Sequence, residues 1–248
     1  MSTLERLLES IPGWEGASWS ELDGGLTNRS YLLEDKGRRA VLKVDESSRG
    51  IPFSSRVEEA TVQSAAAAKG IAAPVLFASD TLYLTEYVEG EVWTRADLES
   101  VEQLDALAAT LRELHALPLT GRRFDALGAA ELYRRRIDAS YADEADRCLA
   151  VVAAAETTAE LRCCHNDLVA ENIVSSPGVT LLDFEYASDN DPMFDLAIVV
   201  EHHSLSDPAE RRLLDAYFGA DAPDRRAELA AQRRVYAALS WLWDKSRR

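Results

Sequence analysis

The chain has 248 residues, 27 of them lysine or arginine and 43 aspartate or glutamate, so its formal net charge is −16. At about 150 residues per domain, this length predicts one large domain or a two-lobed one. A composition of 47% hydrophobic and 28% charged residues excludes an intrinsically disordered chain. The acidic balance disfavours nucleic acid as a partner, because phosphate backbones carry charge of the same sign.

Neither a membrane span nor a secretory signal is predicted. The longest apolar stretch, residues 65–78, is interrupted by a lysine and a glycine and is shorter than the roughly 20 residues that a spanning helix needs. The first ten residues contain two glutamates and no apolar core. The three cysteines lack metal-ligand spacing, so we expect Cys163 and Cys164 to be buried thiols on a strand of a cytoplasmic protein.

The first ninety residues show the pattern of a strand-rich lobe with one helix. Short apolar or alternating runs between turn-forming residues predict strands over residues 18–22, 30–34, 40–44, 74–78 and 81–86. An Ala- and Glu-rich segment, residues 56–69, ends at a glycine and predicts the helix.

The remainder of the chain is predicted to be mostly helical. In residues 98–117, leucines recur at helical spacing. The same reasoning predicts helices over residues 131–155, 208–218 and 226–243, with a loop and a short strand pair over residues 168–174 and 179–184. We therefore predict two lobes, residues 1–88 and residues 89–248, with a cleft at their joint near residues 86–91.

One motif carries the strongest chemical signal: His-x-Asp-x-x-x-x-Asn, followed by an apolar strand that ends in Asp. Its members are His165, Asp167, Asn172 and Asp183. Phosphoryl transfer from ATP needs one carboxylate to accept the proton of the attacking hydroxyl, and an amide oxygen with a second carboxylate to hold Mg²⁺. We predict Asp167 as the base and Asn172 and Asp183 as the metal ligands. The alternative, a hydrogen-bonded turn capped by Asn172, leaves Asp183 unexplained.

A kinase of this kind also makes demands upstream of the motif, and the sequence meets them. Lys43 lies between apolar residues on a predicted strand, where a charged group is costly unless it is paired. Glu58 and Glu59 on the following helix both qualify as its partner, with Glu59 favoured by its spacing to the end of the helix. A glycine turn, residues 23–28, precedes the lysine and offers backbone amides to phosphate.

Taken together, these blocks resemble the choline/ethanolamine kinase branch of the aminoglycoside-phosphotransferase-like kinases, which includes thiamine kinases and shares the eukaryotic protein-kinase architecture. The resemblance covers nearly the whole chain. Its motifs are Gly24-Gly25-Leu26-Thr27-Asn28, Val41-Leu42-Lys43, Cys164-His165-Asn166-Asp167-Leu168, Asp183-Phe184-Glu185-Tyr186-Ala187 and Asn190-Asp191-Pro192-Met193-Phe194-Asp195-Leu196-Ala197.

The resemblance implies an α+β, bilobal protein-kinase-like fold, with a small β-rich lobe and a larger helical one. It implies ATP and Mg²⁺ as cofactors and a hinge, residues 85–88, whose backbone reads adenine. It implies that Asp195 braces the catalytic loop. The implied nucleotide-binding residues are Gly25, Thr27, Asn28, Lys43, Glu59, Glu86 and Val88.

The acceptor is predicted less sharply. Five acids fall within residues 183–195, which favours a cationic substrate, and Glu185 and Glu201 are candidates to contact it. Trp241 and Trp243 offer ring faces for an ammonium group, and because they are two apart on a helix we expect at most one to line the pocket. Of the two we choose Trp241; ordinary core packing is the alternative.

We therefore expect an ATP-dependent kinase that phosphorylates the hydroxyl of a small cationic alcohol such as choline or ethanolamine. Thiamine, an aminoglycoside or another sugar are alternative acceptors. A nucleotide-binding pseudokinase is an alternative of another class, although every expected catalytic position is filled. The sequence leaves the acceptor and the oligomeric state open.

Overall fold

A five-stranded antiparallel sheet organises the amino-terminal part of the chain. The structure, a computed structural model, describes residues 3–22, 29–45, 55–155 and 160–247. The strand order is β1-β2-β3-β5-β4. The strands are β1 Ser18–Leu22, β2 Arg29–Asp35, β3 Arg38–Val44, β4 Val75–Ala78 and β5 Leu82–Glu86.

Two helices flank this sheet. Helix α1, Thr3–Leu8, packs Leu4 and Leu8 against the buried alternate residues of β2 and β3, and together they form a small apolar core. Helix α2, Arg56–Ala67, begins at a capping box in which Ser55 and Glu58 exchange hydrogen bonds. Its inner face contributes to the larger core of the carboxy-terminal part.

The chain leaves the sheet through residues 87–90 and forms a small second sheet. Its strands are β6 Glu91–Val92, β8 Ile173–Ser175 and β9 Val179–Leu181, in the order β6-β8-β9. Gly90 allows this approach, since a Cβ atom there would lie 2.0 Å from the carbonyl oxygen of Ser175. A third sheet pairs β7 Arg162–Cys164 with β10 Ser188–Asn190. It joins the chain segments that precede and follow the motif residues 165–183.

Helices make up most of the rest. Helix α6 is apolar all round and lies in the centre of the larger core, with its residues 196–200 fully buried. Asp191 caps its amino end by accepting a 2.9 Å hydrogen bond from the amide of Met193. The helices are α3 Val101–His115, α4 Ala126–Arg134, α5 Ala142–Ala153, α6 Pro192–His203, α7 Asp207–Phe218 and α8 Arg226–Ser246. Among the helices that the structure describes, none has the length and apolarity needed to cross a bilayer.

The predicted strands and most predicted helices are confirmed within a few residues, and Cys163 and Cys164 are buried on a strand as expected. One prediction is wrong: residues 131–155 form no single helix. The chain turns between α4 and α5, where the Asp138 side chain accepts a 2.8 Å bond from the amide of Ser140 and competes with helical bonding. Helix α1 was not predicted. The lobe boundary at residues 88 and 89 remains a proposal.

A buried guanidinium ties helix α2 to the end of strand β3. Arg56 has no exposed side-chain surface and binds both carboxylate oxygens of Asp45, at 2.8 and 2.7 Å. Its third donor reaches Glu59 at 2.7 Å, and Glu59 is equally buried. Removing one partner of a buried ion pair is costly because the remaining charge loses its compensation.

Replacing Arg56 by methionine is therefore expected to lower the free energy of unfolding by about 3–5 kcal/mol. Urea denaturation followed by circular dichroism measures this quantity. Arg147→Met is the matched control, because Arg147 pairs with Glu144 at the same helical spacing, but with 66% of its side chain exposed. We expect the control to change the free energy of unfolding by less than about 1 kcal/mol. Equal effects of the two substitutions would contradict the role of the buried cluster.

Candidate active site

The loop that carries the motif, residues 165–172, starts where β7 ends and is held by the carboxylate of Asp195 on α6. Asp195 is fully buried and accepts hydrogen bonds from the amides of His165 (2.8 Å) and Asn166 (2.7 Å). His115 Nε2 lies 2.9 Å from the same carboxylate, and its Nδ1 lies 2.6 Å from the hydroxyl of Tyr217. Both ring nitrogens of His115 are thus used for bracing the loop. The expected bracing contact of Asp195 is present.

Asn166 gives the 165–172 loop its sharp turn. Its backbone has φ of +65°, in the left-handed region that asparagine tolerates better than most residues. The side-chain amide donates to the carbonyl of Tyr186 and to the hydroxyl of Ser188, both at 3.0 Å. Its oxygen accepts from Asn190 at 2.8 Å. These bonds fix Asn166, and the next side chain, Asp167, points into the cleft between the lobes.

Asp167 and Asn172, predicted from the motif, are in direct contact. The Asn172 amide nitrogen donates to the Asp167 carbonyl at 2.9 Å and to its Oδ2 at 3.0 Å. Burial, together with the nearby negative charges of Asp183 and Glu185, raises the pKa of Asp167 to about 7. A carboxyl with a pKa near neutrality is suited to exchange protons with a substrate.

Lys43 and Asp183 form an ion pair of 2.7 Å across the cleft between the first sheet and the larger lobe. Burial alone lowers the pKa of Lys43, but the charges of Asp183 and Glu59 outweigh it and raise that pKa. For Asp183, burial raises the pKa, but the Lys43 charge reverses this and lowers it. The two groups are therefore both charged. Asp183 also has a positive φ, +60°, which turns the chain sharply after β9.

Burial distinguishes Glu58 from Glu59 as candidate partners of Lys43. Glu58 is exposed and belongs to the cap of α2, whereas Glu59 is fully buried and acts electrostatically on Lys43. Lys43 nevertheless forms its ion pair with Asp183, whereas Glu59 forms a 2.7 Å ion pair with Arg56. Pairing of Lys43 with Glu59 remains a prediction.

In the predicted hinge, residues 85–88, two backbone amides already have hydrogen-bond partners within the protein. The amide of Glu86 donates to the Pro74 carbonyl (2.9 Å), and the amide of Tyr87 donates to Arg39 (3.1 Å). Within the described ranges, no group accepts from the amide of Val88, so it is available to a nucleotide base. The predicted phosphate-binding residues Gly25, Thr27 and Asn28 lie outside the described residues.

A cleft of about 560 Å³ joins the motif residues to an aromatic wall. Its charged lining residues are Lys43, Asp167, Glu171, Asp183 and Glu185. Its aromatic wall consists of Phe124, Tyr133, Tyr186, Phe194, Tyr236 and Trp243. Reactive carboxylates thus lie beside a surface of ring faces and edges.

Three acceptor candidates from the sequence have different positions in the structure. Glu185 lines the cleft, and its contact with the acceptor stays a prediction. Glu201 is absent from the lining and is bound to Arg233, with 2.8 Å between its Oε2 and Nε. Trp241 is also absent and packs edge-on against Tyr141, with ring centroids 6.3 Å apart. Of the two tryptophans, Trp243 lines the cleft, because α8 packs against α4 and α5 with that side turned inward.

Several cleft residues were not predicted. Ser30 is paired with Lys43 across β2 and β3, so its position follows from the register of that hairpin. Tyr186 and Phe194 belong to motifs that the sequence already showed, where no role was assigned to them. Phe124 and Tyr133 lie in a region without a motif, and no local pattern indicated them.

Comparison with known proteins places this geometry in a family. The sequence model of the phosphotransferase enzyme family (APH) matches residues 18–231. Protein LicA of Haemophilus influenzae is 30% identical over 207 residues, which are 78% of this chain and 61% of that protein, so the chain spans less than two thirds of it. A thiamine kinase of Escherichia coli is 28% identical over 223 residues, 88% of this chain and 73% of the kinase.

The fold is shared with solved structures. The choline kinase LicA from Streptococcus pneumoniae superposes with a TM-score of 0.80 at 22% identity, over 99% of this chain and 91% of that one. This likeness confirms the predicted bilobal, protein-kinase-like α+β fold. Because the family model matches well over half of the chain, the resemblance drawn from the sequence is confirmed as well, and the chain belongs to the phosphotransferase enzyme family.

Proposed function

We propose that the protein transfers the γ-phosphoryl group of ATP to the hydroxyl of a small cationic alcohol of the choline or ethanolamine kind. The observation that carries this proposal is the single cleft in which Asp167, Asn172, Asp183 and Lys43 share one space with an aromatic, acidic wall. Phosphoryl transfer depends mainly on positioning and charge neutralisation, and both require these groups to lie together.

In the proposed reaction, the acceptor hydroxyl oxygen bonds to the γ-phosphorus while the bond to the bridging oxygen of ADP breaks. Asp167 accepts the hydroxyl proton, and its pKa of about 7 suits this role at neutral pH. Lys43, positively charged and directed into the cleft, binds the α- and β-phosphates of the nucleotide. Glu59 supports Lys43 electrostatically, and the hinge backbone at Glu86 and Val88 holds adenine.

The residues present fit Mg²⁺. The Asn172 amide nitrogen is directed to Asp167, which leaves the amide oxygen for a ligand, and Asp183 supplies a carboxylate that lines the cleft. Amide and carboxylate oxygens are the hard ligands that this ion prefers. When bound, Mg²⁺ neutralises negative charge on the phosphates. Asn172 and Asp183 are therefore the proposed metal ligands.

The aromatic wall supports a cationic acceptor. Ring faces attract ammonium groups, which adds about 0.5–2 kcal/mol for one well-placed ring. Glu185 is 4% exposed and lines the same cleft, where its charge favours a cation over a neutral sugar. Trp243 already stacks with a cation on one face, since the Arg247 guanidinium lies 4.5 Å from its ring centroid.

Thiamine is the second candidate acceptor. The observation that favours it is the 28% identity to thiamine kinases over 88% of this chain. Thiamine also combines a primary alcohol with a permanent positive charge, so the same wall suits it. A comparison of choline, ethanolamine, thiamine and kanamycin as acceptors, with ADP release as the signal, separates these candidates from each other and from a pseudokinase.

Replacing Asp167 by asparagine is expected to lower turnover by about 10²–10⁴, because the amide cannot accept the hydroxyl proton. ADP release at saturating ATP and acceptor measures turnover, and nucleotide binding by calorimetry is expected to stay within about threefold of wild type. Asp146→Asn is the control, since its carboxylate is 63% exposed and pairs with Arg134 far from the motif. Undiminished turnover of Asp167→Asn would remove Asp167 from the proposed role.

The two tryptophans of α8 provide an internally matched test of the acceptor wall. Trp243→Ala is expected to raise the acceptor KM by about 2- to 30-fold, which corresponds to the loss of one cation–π contact. Trp241→Ala removes the same side chain two residues away, outside the cleft, and the acceptor KM is expected to stay within about twofold. Steady-state kinetics at fixed ATP measures both, and the reverse order of effects would show that the other ring contacts the acceptor.

A further inference from the structure

Residues 120–124 connect α3 to α4 and form a loop at the edge of the cleft. The loop has no regular secondary structure beyond an isolated bridge to β10, in which Arg123 pairs with Asp189. Its last residue, Phe124, is part of the aromatic wall. A wall residue carried on an irregular loop needs some other element to hold it in place.

The side chain of Asp189 on β10 supplies that support. Its Oδ1 accepts hydrogen bonds from the Thr120 amide at 2.7 Å and from the Thr120 hydroxyl at 2.9 Å. Its Oδ2 accepts a 2.9 Å bond from the amide of Gly121. Asp189 is 4% exposed, so all three bonds lie in a water-poor environment where charge-assisted hydrogen bonds are strong.

The backbone of Asp189 holds the other end of the same loop. Its amide donates to the Arg122 carbonyl at 2.7 Å, and its carbonyl accepts from the amide of Phe124 at 2.9 Å. One residue thus binds four of the five loop positions, 120, 121, 122 and 124. Phe124 then contacts Phe194 on α6, with ring centroids 5.4 Å apart.

Arg122, one of the two arginines of the loop, is also attracted to Asp189. The Arg122 guanidinium donates to the Ala187 carbonyl at 2.9 Å and is attracted by the charges of Glu58 and Asp189. Asp189 therefore makes its contacts within the protein, and its carboxylate is directed into the 120–124 loop. The acidic residues within 183–195 therefore differ in their contacts, and Asp189 is not among those that line the cleft.

We propose that Asp189 is a positioning residue for acceptor binding: by fixing the 120–124 loop, it sets the place of Phe124 in the wall of the acceptor site. The proposal rests on the proposed function for the identity of that site. Asp189 does not line the cleft and contacts neither the acceptor nor the nucleotide. It acts only through Phe124.

A carboxylate is required because the loop offers only donors at this point. Two amides and one hydroxyl converge on the two oxygens of Asp189. Asparagine presents one oxygen and one NH₂ group, and an NH₂ group cannot accept from an amide. Asp189→Asn therefore breaks at least one bond to the loop while keeping the size of the side chain.

The first experiment compares Asp189→Asn with wild type in steady-state kinetics, using choline, or ethanolamine or thiamine if wild type prefers one of them. We expect the acceptor KM to rise about tenfold, the ATP KM to stay within twofold, and kcat at saturating acceptor to stay within threefold, because only acceptor binding depends on Phe124. An unchanged acceptor KM, or an equal rise in the ATP KM, would overturn the proposal.

Asp191→Asn is the matched control. It carries the same substitution two residues further on, where one carboxylate oxygen caps α6 and the other accepts a 3.1 Å bond from the Gln232 side chain. Asparagine caps helices about as well as aspartate, and the Gln232 amide can turn over to accept from the new NH₂ group. Kinetic constants within twofold of wild type are expected. Should Asp189→Asn fold poorly, Thr120→Val removes the hydroxyl bond to Asp189, together with the 3.1 Å contacts of that hydroxyl to the backbone of Arg122 within the loop. The two amide bonds to Asp189 remain, so a smaller rise of the acceptor KM is expected from it.

A double-mutant cycle with Phe124→Ala tests whether the effect passes through the ring. If Asp189 acts only by placing Phe124, the double variant has the acceptor KM of Phe124→Ala alone. If the two increases multiply, Asp189 acts by another route, and the proposal is wrong.

Hydrogen–deuterium exchange of residues 118–125 separates this inference from the proposed function. Asp189→Asn is expected to speed exchange at the amides of Thr120 and Gly121 at least tenfold, whereas Asp191→Asn leaves them unchanged. If wild type phosphorylates no tested acceptor, the proposed function fails, and the exchange experiment alone decides whether Asp189 holds the loop. Unchanged exchange overturns that part, and faster exchange supports it.

Discussion

The buried carboxylate of Asp195 fixes the 165–172 loop to the central helix α6. It accepts two backbone amides of the loop and one ring nitrogen of His115, all within 2.9 Å. Residues 193–200 of helix α6 are all buried in the core of the larger lobe. The position of Asp167 is therefore set by the core of the larger lobe and not by the loop's own conformational preferences. The left-handed backbone of Asn166 is tolerated because these bonds compensate it.

Buried charges connect the smaller lobe to this frame. The Arg56 guanidinium binds the carboxylates of Asp45 and Glu59, and Lys43 forms an ion pair with Asp183 across the cleft. The first group orients α2 on the sheet, and the second spans the cleft. The Lys43–Asp183 pair is only partly buried, with 17% and 28% of the two side chains exposed, and it joins the first sheet to the larger lobe.

How far the sequence predicts the structure depends on how local each feature is. The strands and the helix α2 follow from patterns within a few residues, and these predictions are confirmed. The His-x-Asp motif is equally local, and the roles predicted for its residues stay predictions. The break between α4 and α5 depends on one side chain, Asp138, bonding its own backbone. The residues that build the aromatic wall come from α4, α6, α8 and a loop, so only tertiary packing brings them together.

Burial also distinguishes residues that the sequence separates only weakly. Glu59 is favoured over Glu58 by its spacing to the end of α2 alone, and the structure shows that Glu58 caps the helix while Glu59 is buried beside Arg56. Trp241 and Trp243 differ only in which side of α8 they occupy, and that side is fixed by the neighbouring helices. Asp189 looked like one more acid in an acidic stretch, and its bonds to residues about 70 positions away leave no local trace.

The unequal charge of the cleft has a consequence for how the product leaves. Among the lining residues that the structure describes, four carboxylates face one lysine. A cationic alcohol is attracted by this surface, but once phosphorylated it gains a group with a charge of about −1.5 to −2, so its net charge changes sign. The carboxylates that attract the cationic acceptor then repel the phosphorylated product. For the acceptor class proposed here, the chemical step itself therefore favours product release.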